Sequence, residues 1–310
     1  MKILVTGANG FIGRGLCAEL TRLGHQVVAA VRKPSAMPGE RVTGDMAAFG
    51  EWAEVLRGVD VVLHLAGRAH VLKEQLSDPL AEFRRVNTDV TLALAQQAAQ
   101  AGVKRFIFLS SIGVNGNVSH STPFTAGMAP HPVAPYAVSK YEAELGLKAL
   151  ASRLEVVVVR PPLVYGQGAP GNFRSMVNIV ARGLPLPLGA VTANRRTLVG
   201  LDNLISLLVV CLDHPQAPGQ TFLAGDDEDL STTALLRRLG AAMGVRPRLL
   251  PVPPAALGLA ARLLGKGAVA QRLLGNLQVD ISHTRDTLGW RPPVSVDEGL
   301  RRAVSDQARA

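Results

Sequence analysis

The chain has 310 residues, of which 47% are hydrophobic, 18% are charged and 4% are aromatic, and its formal net charge is +9. These values are typical of a globular protein with one large domain, or with two domains that share an interface. The positive charge favours anionic partners. The basic residues are scattered and aromatic residues are few, so we expect no nucleic-acid partner.

Cysteines, histidines and apolar runs exclude further classes of protein. Cys17 and Cys211 lie far apart without the spacing of a zinc site or a disulfide framework, which favours a reducing cytoplasm. The first predicted strand begins at residue 2, so we expect no export signal. No uncharged apolar run reaches the ~18 residues of a membrane span, so we expect no stable membrane insertion. The histidines show no metal-binding spacing, and we expect no metal site.

Short runs of β-branched residues alternate with helical patterns in the first half of the chain. The predicted strands are 2–5, 27–31, 59–64, 105–110 and 155–160, and the predicted helices are 11–23, 48–56, 80–101 and 135–151. This repetition predicts right-handed crossovers and therefore an α/β fold, a Rossmann-type doubly wound parallel sheet. We assign residues 1–165 to this NAD(P)-binding domain.

The second half of the chain has a different sequence pattern, in which Gly-Pro-rich connectors separate the predicted helices. Helices are predicted at 173–182, 201–213, 231–243 and 297–303. We expect a smaller α/β substrate-binding region over 166–310, with a segment near 195–225 returning to the first domain. The apolar stretch 253–264 contains Arg262 and predicts a helix packed on the core. Contact with a membrane surface is the alternative.

A glycine-rich turn follows the first predicted strand. Gly7, Gly10 and Gly13 permit a tight turn, close approach of the backbone to a pyrophosphate, and packing of the helix on the strand. Phe11 and Ile12 begin that helix, whose positive end favours an anion. The pattern predicts dinucleotide binding, and a glycine-rich turn without a ligand is the alternative.

Charges after the second and third strands bear on which dinucleotide binds. Arg32 and Lys33 stand where NAD-specific sites have an acidic residue for the ribose, so we predict NADP, with NAD as the alternative. The two cations would otherwise be solvated loop charges. Asp45 and Met46 follow the third strand, where Asp45 would accept a hydrogen bond from the adenine amino group, unless it is an ordinary turn residue.

Three residues in a characteristic order carry the chemistry. Ser111 ends the fourth strand of this pattern, and Tyr136 and Lys140 share one face of the next helix. An ammonium beside a phenol favours the phenolate, so we expect Lys140 to lower the pKa of Tyr136. Tyr136 would then transfer a proton at a substrate oxygen that Ser111 holds, while a nicotinamide transfers hydride at the attached carbon.

In this order the motifs resemble those of the extended short-chain dehydrogenase/reductases, the family of sugar-nucleotide epimerases, dehydratases and reductases. Further similarity lies at 64–67, 160–166 and 288–292. The resemblance implies a homodimer and additional cofactor contacts at Leu65, Ala66, Gly67, Asn87, Pro161 and Leu163.

The resemblance also implies a UDP-sugar site in the second half. Asn172 and Arg195 would bind the diphosphate, with Arg196 as an adjacent candidate and Arg272 as a weaker one. Asn115 stands where epimerases commonly have a tyrosine, which implies a changed sugar pocket in contact with Asn115 and Ser111.

Two segments, 185–189 and 195–199, are similar to those of bacterial reductases of polysaccharide biosynthesis. The predicted reaction is reduction of the C4 keto group of a UDP-linked 2-acetamido-2,6-dideoxy-hexos-4-ulose by NAD(P)H, in lipopolysaccharide O-antigen synthesis. The alternatives are a 4-epimerase of a UDP-hexose or UDP-N-acetylhexosamine, and a non-catalytic dinucleotide sensor. Dehydratase activity is not expected, because Ile112 and Gly113 supply no acid beside the serine.

Overall fold

The computed structural model describes residues 1–50, 52–68 and 78–305. The strands within these residues are β1 (Lys2–Thr6), β2 (Gln26–Val31), β3 (Glu40–Val42), β4 (Val61–His64), β5 (Arg105–Leu109), β6 (Glu155–Arg160), β7 (Leu163–Tyr165), β8 (Arg196–Gly200), β9 (Thr221–Leu223) and β10 (Asp229–Leu230).

The α-helices within the same residues are α1 (Phe11–Arg22), α2 (Trp52–Val55), α3 (Pro79–Phe83), α4 (Val90–Gln100), α5 (Pro135–Lys148), α6 (Asn172–Ala181), α7 (Leu201–Val210), α8 (Thr232–Ala242), α9 (Pro254–Leu263), α10 (Gly267–Leu274), α11 (Ser282–Leu288) and α12 (Val296–Ala303). A π-helix (Arg84–Asp89) joins α3 to α4, and a 3₁₀ turn (Ile112–Val114) follows β5.

Seven strands form one parallel sheet in the order β3-β2-β1-β4-β5-β6-β9. This confirms the predicted Rossmann-type fold. The strand order reverses between β1 and β4, and ligands of such sheets bind outside the carboxyl ends of the strands at that reversal. A second sheet, β10-β8-β7, carries the smaller region.

Helices cover both faces of the large sheet, which explains the continuous apolar strands. The helices α1 and α7 pack on one face with Ile3 and Val5 of β1. The helices α2, α4 and α5 pack on the other face with Leu4 of β1. A third cluster lies under the small sheet and includes side chains of α6, α8 and α12.

The chain returns to the large sheet in two pieces. α7 packs against α1, and β9 pairs with β6 at the sheet edge, whereas β8 lies in the small sheet. The small sheet begins with β7, so its first strand precedes residue 166.

The long helix predicted over 80–101 is divided in the structure. The π-helix between α3 and α4 buries Asn87 and Thr88, and the Thr88 hydroxyl donates to the Ser139 carbonyl at 2.9 Å. Such π-bulges turn side chains out of the regular helical register, which periodicity in a sequence does not reveal.

The apolar stretch at 253–264 is helical, as predicted, but it packs on the core only in part. No residue of α9 or α10 is fully buried, and α9 contacts the core cluster under the small sheet only partly, through Leu257. The two helices also pair with each other at the surface. Within the described residues, no helix is long and apolar enough to cross a bilayer.

Candidate active site

The turn after β1 has two positions that require glycine. Gly7 has a φ of +67°, and a Cβ there would lie 2.9 Å from the backbone nitrogen of Ala66. A Cβ on Gly13 would lie 2.2 Å from the carbonyl oxygen of Gly7. The tight turn at Gly7 and the close packing at Gly13 agree with the sequence pattern, and the contact of Gly7 with the segment after β4 is an additional finding.

The N terminus of α1 has the features of an anion site. Gly10 precedes the helix and provides no side-chain cap, and the first turn contains no acidic residue. The first N–H groups of a helix, here those of Phe11 and Ile12, have no partner within the helix. With the helix dipole they suit a phosphate group, so this turn fits the pyrophosphate of a dinucleotide.

The carboxyl end of β2 is positively charged. Arg32 and Lys33 are both exposed there. Asp45 accepts a hydrogen bond from the Ala47 amide at 3.1 Å and pairs with Arg85 at 3.1 Å, and these bonds lower the pKa of its carboxyl. Met46 packs beside the core under this end of the sheet. Contacts of these residues with a cofactor remain predictions.

The segment after β4 is fixed to β1 by hydrogen bonds. The Thr6 hydroxyl accepts from the Ala66 amide at 3.2 Å and bonds His64 Nδ1 at 2.8 Å. The other ring nitrogen of His64 bonds the Thr91 hydroxyl at 2.9 Å. His64 is therefore a buried histidine with both ring nitrogens hydrogen-bonded. Through the Thr6 hydroxyl it helps to fix the 65–67 segment at the carboxyl end of β4.

Asn87 has a positioning role rather than the predicted cofactor contact. Its side-chain oxygen accepts from the Arg68 amide at 2.8 Å, and its amide nitrogen donates to the Arg68 carbonyl and to the Ser139 hydroxyl. The side chain has no accessible surface. These hydrogen bonds engage both polar atoms of the side chain, so in this structure Asn87 fixes the backbone beside Gly67.

Ser111 lies at the end of β5 and faces a large cavity. Its Oγ accepts a hydrogen bond from the Gly113 amide at 3.1 Å, which begins the 3₁₀ turn. Because the amide uses an oxygen lone pair, the hydroxyl hydrogen stays free to donate to a substrate oxygen.

Tyr136 and Lys140 lie in the first turns of α5, which begins at Pro135. Tyr136 lines the same cavity as Ser111, and burial raises its pKa to about 12. The Lys140 ammonium donates to the Leu109 carbonyl at 3.0 Å, and burial lowers its pKa to about 8. The expectation that Lys140 lowers the pKa of Tyr136 is wrong for this structure, since burial of the phenol dominates.

A buried ion pair behind the site was missed from the sequence. Arg160, at the end of β6, donates to Glu144 of α5 at 3.0 Å, and the Ser110 hydroxyl also donates to Glu144. The pattern that identifies Glu144 is its position four residues after Lys140, on the same helix face. The pair connects the ends of β5 and β6 to the helix that carries Tyr136.

The same network corrects the interpretation of Asn115. Its side-chain oxygen accepts from Arg160 at 2.9 Å, and its amide nitrogen donates to the Thr125 carbonyl at 3.0 Å. Asn115 is buried and does not line the cavity. It therefore braces Arg160, and the predicted sugar contact is wrong.

The cavity has a volume of about 890 Å³ and lies between the two sheets. Its lining contains predicted residues from both halves of the chain: Ser111, Tyr136, Pro161, Leu163, Asn172, Arg196 and Arg272. The tertiary structure thus brings the residues predicted to transfer a proton, Ser111 and Tyr136, and two cations into one cavity.

Arg195 and Arg196 point in different directions. Arg196 faces the cavity together with Arg272, and the pKa of Arg196 is lowered by burial and by the charge of Arg272. Arg195 is exposed and donates to the carbonyls of Thr192 and Asn194. The prediction that Arg195 is the main diphosphate ligand is therefore wrong, and Arg196 takes its place as the candidate.

Comparison with known proteins agrees with this geometry. The sequence profile of the NAD dependent epimerase/dehydratase family matches residues 3–225. The chain belongs to this family. A UDP-glucose 4-epimerase of Vibrio cholerae is 44% identical over 311 residues, which cover 98% of this chain and 94% of the relative. A GDP-6-deoxy-D-mannose reductase of Pseudomonas aeruginosa is 29% identical, and the match covers 98% of this chain and 96% of the relative.

Solved structures share the fold of this family member. A UDP-glucuronic acid 4-epimerase from Bacillus cereus in complex with NAD superposes with a TM-score of 0.79 at 22% identity, covering 98% of this chain and 96% of that one. A UDP-glucose 4-epimerase from Thermotoga maritima with UDP-glucose superposes with a TM-score of 0.80 at 23% identity, covering 100% of this chain and 99% of that one. The predicted membership of the extended short-chain dehydrogenase/reductases is confirmed, and the chain is an enzyme of this family.

Proposed function

We propose that this enzyme interconverts the C4 epimers of a UDP-hexose or UDP-N-acetylhexosamine. The main support for this proposal is that Ser111 and Tyr136 line one cavity with Arg196 and Arg272. Proton transfer at a sugar hydroxyl and binding of a diphosphate both take place in that cavity. The similarity to the Vibrio cholerae 4-epimerase favours this reaction over the reductase predicted from the sequence.

The chain's own residues supply binding and proton transfer. Arg196 and Arg272 bind the diphosphate by charge-assisted hydrogen bonds. Ser111 donates to the oxygen on C4 and so fixes the distance between that oxygen and Tyr136. Tyr136 takes the proton of the C4 hydroxyl when the 4-keto sugar forms and returns it when the hydroxyl is restored.

The Gly7–Gly13 turn, the 65–67 segment and Lys140 would hold the dinucleotide, which when bound supplies a hydride acceptor and, oxidised, a positive charge. Burial raises the pKa of Tyr136 to about 12, so the resting phenol is protonated at neutral pH. A nearby positive charge favours the phenolate and adapts Tyr136 for removal of a proton.

A second candidate function is reduction of the C4 keto group of a UDP-linked 2-acetamido-2,6-dideoxy-hexos-4-ulose by NADPH. The exposed cations Arg32 and Lys33 favour it, because a 2′-phosphate would find complementary charge at the end of β2. A reductase uses Tyr136 as an acid, and the raised pKa of the resting phenol suits that role. Use of NADP, assembly as a homodimer and location in the cytoplasm are parts of this proposal.

One experiment separates the two reactions. The purified protein is incubated with UDP-glucose and with UDP-N-acetylglucosamine in the presence of NAD⁺, and the products are resolved by anion-exchange chromatography. Appearance of the C4 epimer without net reduction of NAD⁺ supports the epimerase. In a second reaction the protein is incubated with the UDP-linked 4-keto sugar and NADPH. If no epimer forms in the first reaction and the near-ultraviolet absorbance of NADPH decreases in the second, the enzyme is the reductase.

A further inference from the structure

The hairpin formed by α9 and α10, residues 254–274, is exposed and apolar. Leu263 is 80% exposed, Leu264 is 70% exposed and Leu259 is 62% exposed. Scattered exposed leucines are normal on protein surfaces, but a concentration of them in one short hairpin indicates a contact surface.

The same hairpin lies in the most one-sided charge segment of the chain. No aspartate or glutamate occurs between Asp229 and Asp280, whereas that interval contains the cations Arg237, Arg238, Arg246, Arg248, Arg262, Lys266 and Arg272. Arg262 and Lys266 flank Leu263 and Leu264, and among the described residues neither forms an ion pair. An apolar tip between free cations has the chemistry of the boundary between lipid headgroups and acyl chains.

The hairpin has few attachments to the body of the protein. Leu257 of α9 and Leu273 and Leu274 of α10 pack partly against the cluster under the small sheet. The inner face of α10 lines the cavity through Ala268, Val269 and Arg272. The outer face of α9 and the turn between the helices are exposed to solvent.

We propose that the α9–α10 hairpin docks this enzyme on an anionic lipid surface. Leu263 and Leu264 enter the apolar boundary, while Arg262 and Lys266 contact the lipid phosphates. Binding is peripheral and reversible, because two leucines and a short helix bury too little apolar surface for permanent insertion. The proposal is independent of which sugar reaction the enzyme catalyses, and its test does not measure activity.

The test is co-sedimentation of the full-length protein with vesicles. Vesicles of equimolar phosphatidylglycerol and phosphatidylcholine should sediment the protein at low salt, and binding should weaken as salt screens the charges. Vesicles of phosphatidylcholine alone should bind it much less. Failure to sediment with the anionic vesicles at low salt, or equal binding to both kinds of vesicle, would overturn the proposal.

Two pairs of variants locate the surface. Leu263→Asp with Leu264→Asp should abolish sedimentation, whereas Leu23→Asp, at an exposed leucine beyond α1, should not. Arg262→Gln with Lys266→Gln should weaken partition roughly 25-fold, since each cation near an anionic surface contributes about fivefold. Lys148→Gln with Arg153→Gln removes the same charge at exposed positions near the end of α5 and should have a smaller effect.

A second copy of the chain is the rival occupant of this face, and light scattering distinguishes it. If the Leu263→Asp, Leu264→Asp variant has a lower molar mass than the wild type and vesicle binding is unchanged, the hairpin is an interface between copies and the proposal is wrong. An unchanged molar mass together with lost vesicle binding supports it. Thermal unfolding of each variant verifies that the fold is retained.

Discussion

The Lys140 ammonium lies 3.1 Å from the position that a Cβ on Gly67 would occupy. The segment after β4 therefore rests directly on Lys140, and the side-chain oxygen of Asn87 lies 3.2 Å from the same position. Glycine is favoured at position 67 by the close approach of two side chains to the backbone, and not by a positive φ.

Gly67→Ala is expected to displace the Lys140 ammonium from the Leu109 carbonyl by a few tenths of an ångström. Small displacements of catalytic groups reduce rates by up to about 100-fold, so kcat should fall while the fold persists. Steady-state kinetics and thermal unfolding measure the two effects. Gly127→Ala, where an added Cβ meets nothing within 4 Å, is the control. Equal kinetics for both variants would contradict the contact.

Tyr136→Phe should lower kcat by about 10²–10⁴-fold, because loss of a positioned acid–base group has effects of that size. Cofactor affinity, measured by fluorescence titration with the dinucleotide, should change little. Tyr141→Phe on the same helix is the matched control and should keep wild-type kinetics. Full activity of Tyr136→Phe would exclude the phenol from the reaction.

Arg196→Gln should raise the KM for the UDP-sugar by about 10–100-fold, since charged hydrogen bonds contribute about 1.5–3 kcal/mol. The neighbouring variant Arg195→Gln should leave KM unchanged, because Arg195 faces solvent and bonds Thr192 and Asn194. Titration calorimetry with UDP gives the same comparison without turnover. A larger effect at Arg195 than at Arg196 would contradict the assignment.

Glu144→Gln should destabilise the protein by about 3–5 kcal/mol, because it leaves the Arg160 guanidinium buried without its carboxylate. Glu142 lies on the same helix as Glu144, and its carboxylate forms an exposed ion pair with Arg84. Glu142→Gln should therefore destabilise the protein much less. Urea unfolding measures both. Similar losses in the two variants would show that the buried network does not stabilise the site.

His64 makes stability depend on acid pH. Burial, and to a lesser extent the charge of Lys140, lowers its pKa from 6.5 to about 3. The unfolded chain therefore binds one more proton between these values, and stability falls as the pH decreases through this window, by up to roughly 5 kcal/mol. In urea unfolding from pH 7 to pH 4, His64→Asn should flatten this dependence, and His120→Asn at an exposed position should not. An unchanged pH profile for His64→Asn would contradict the prediction.

Local signals in the sequence predicted several features of the candidate site, as the Gly7 turn and the placement of Tyr136 at the cavity illustrate. Gly7 is required by its own backbone conformation, and Tyr136 and Lys140 share a face through helix geometry alone. Local signals do not show which of the two adjacent residues, Arg195 or Arg196, faces the cavity. Arg196 is the first residue of β8 and Arg195 precedes it, and the side to which Arg196 points depends on how β8 pairs with β7 and β10.

The amino-acid sequence by itself determined the parallel sheet, the glycine turn and the order of Ser111, Tyr136 and Lys140, because each depends on neighbours close in the chain. The tertiary structure decided which polar groups face the cavity and which are used internally. Asn87 and Asn115 hydrogen-bond to distant backbone and side-chain groups, and burial sets the pKa values of Tyr136 and Lys140. Burial and long-range hydrogen bonds depend on the packing of the whole chain, and no local pattern specifies them.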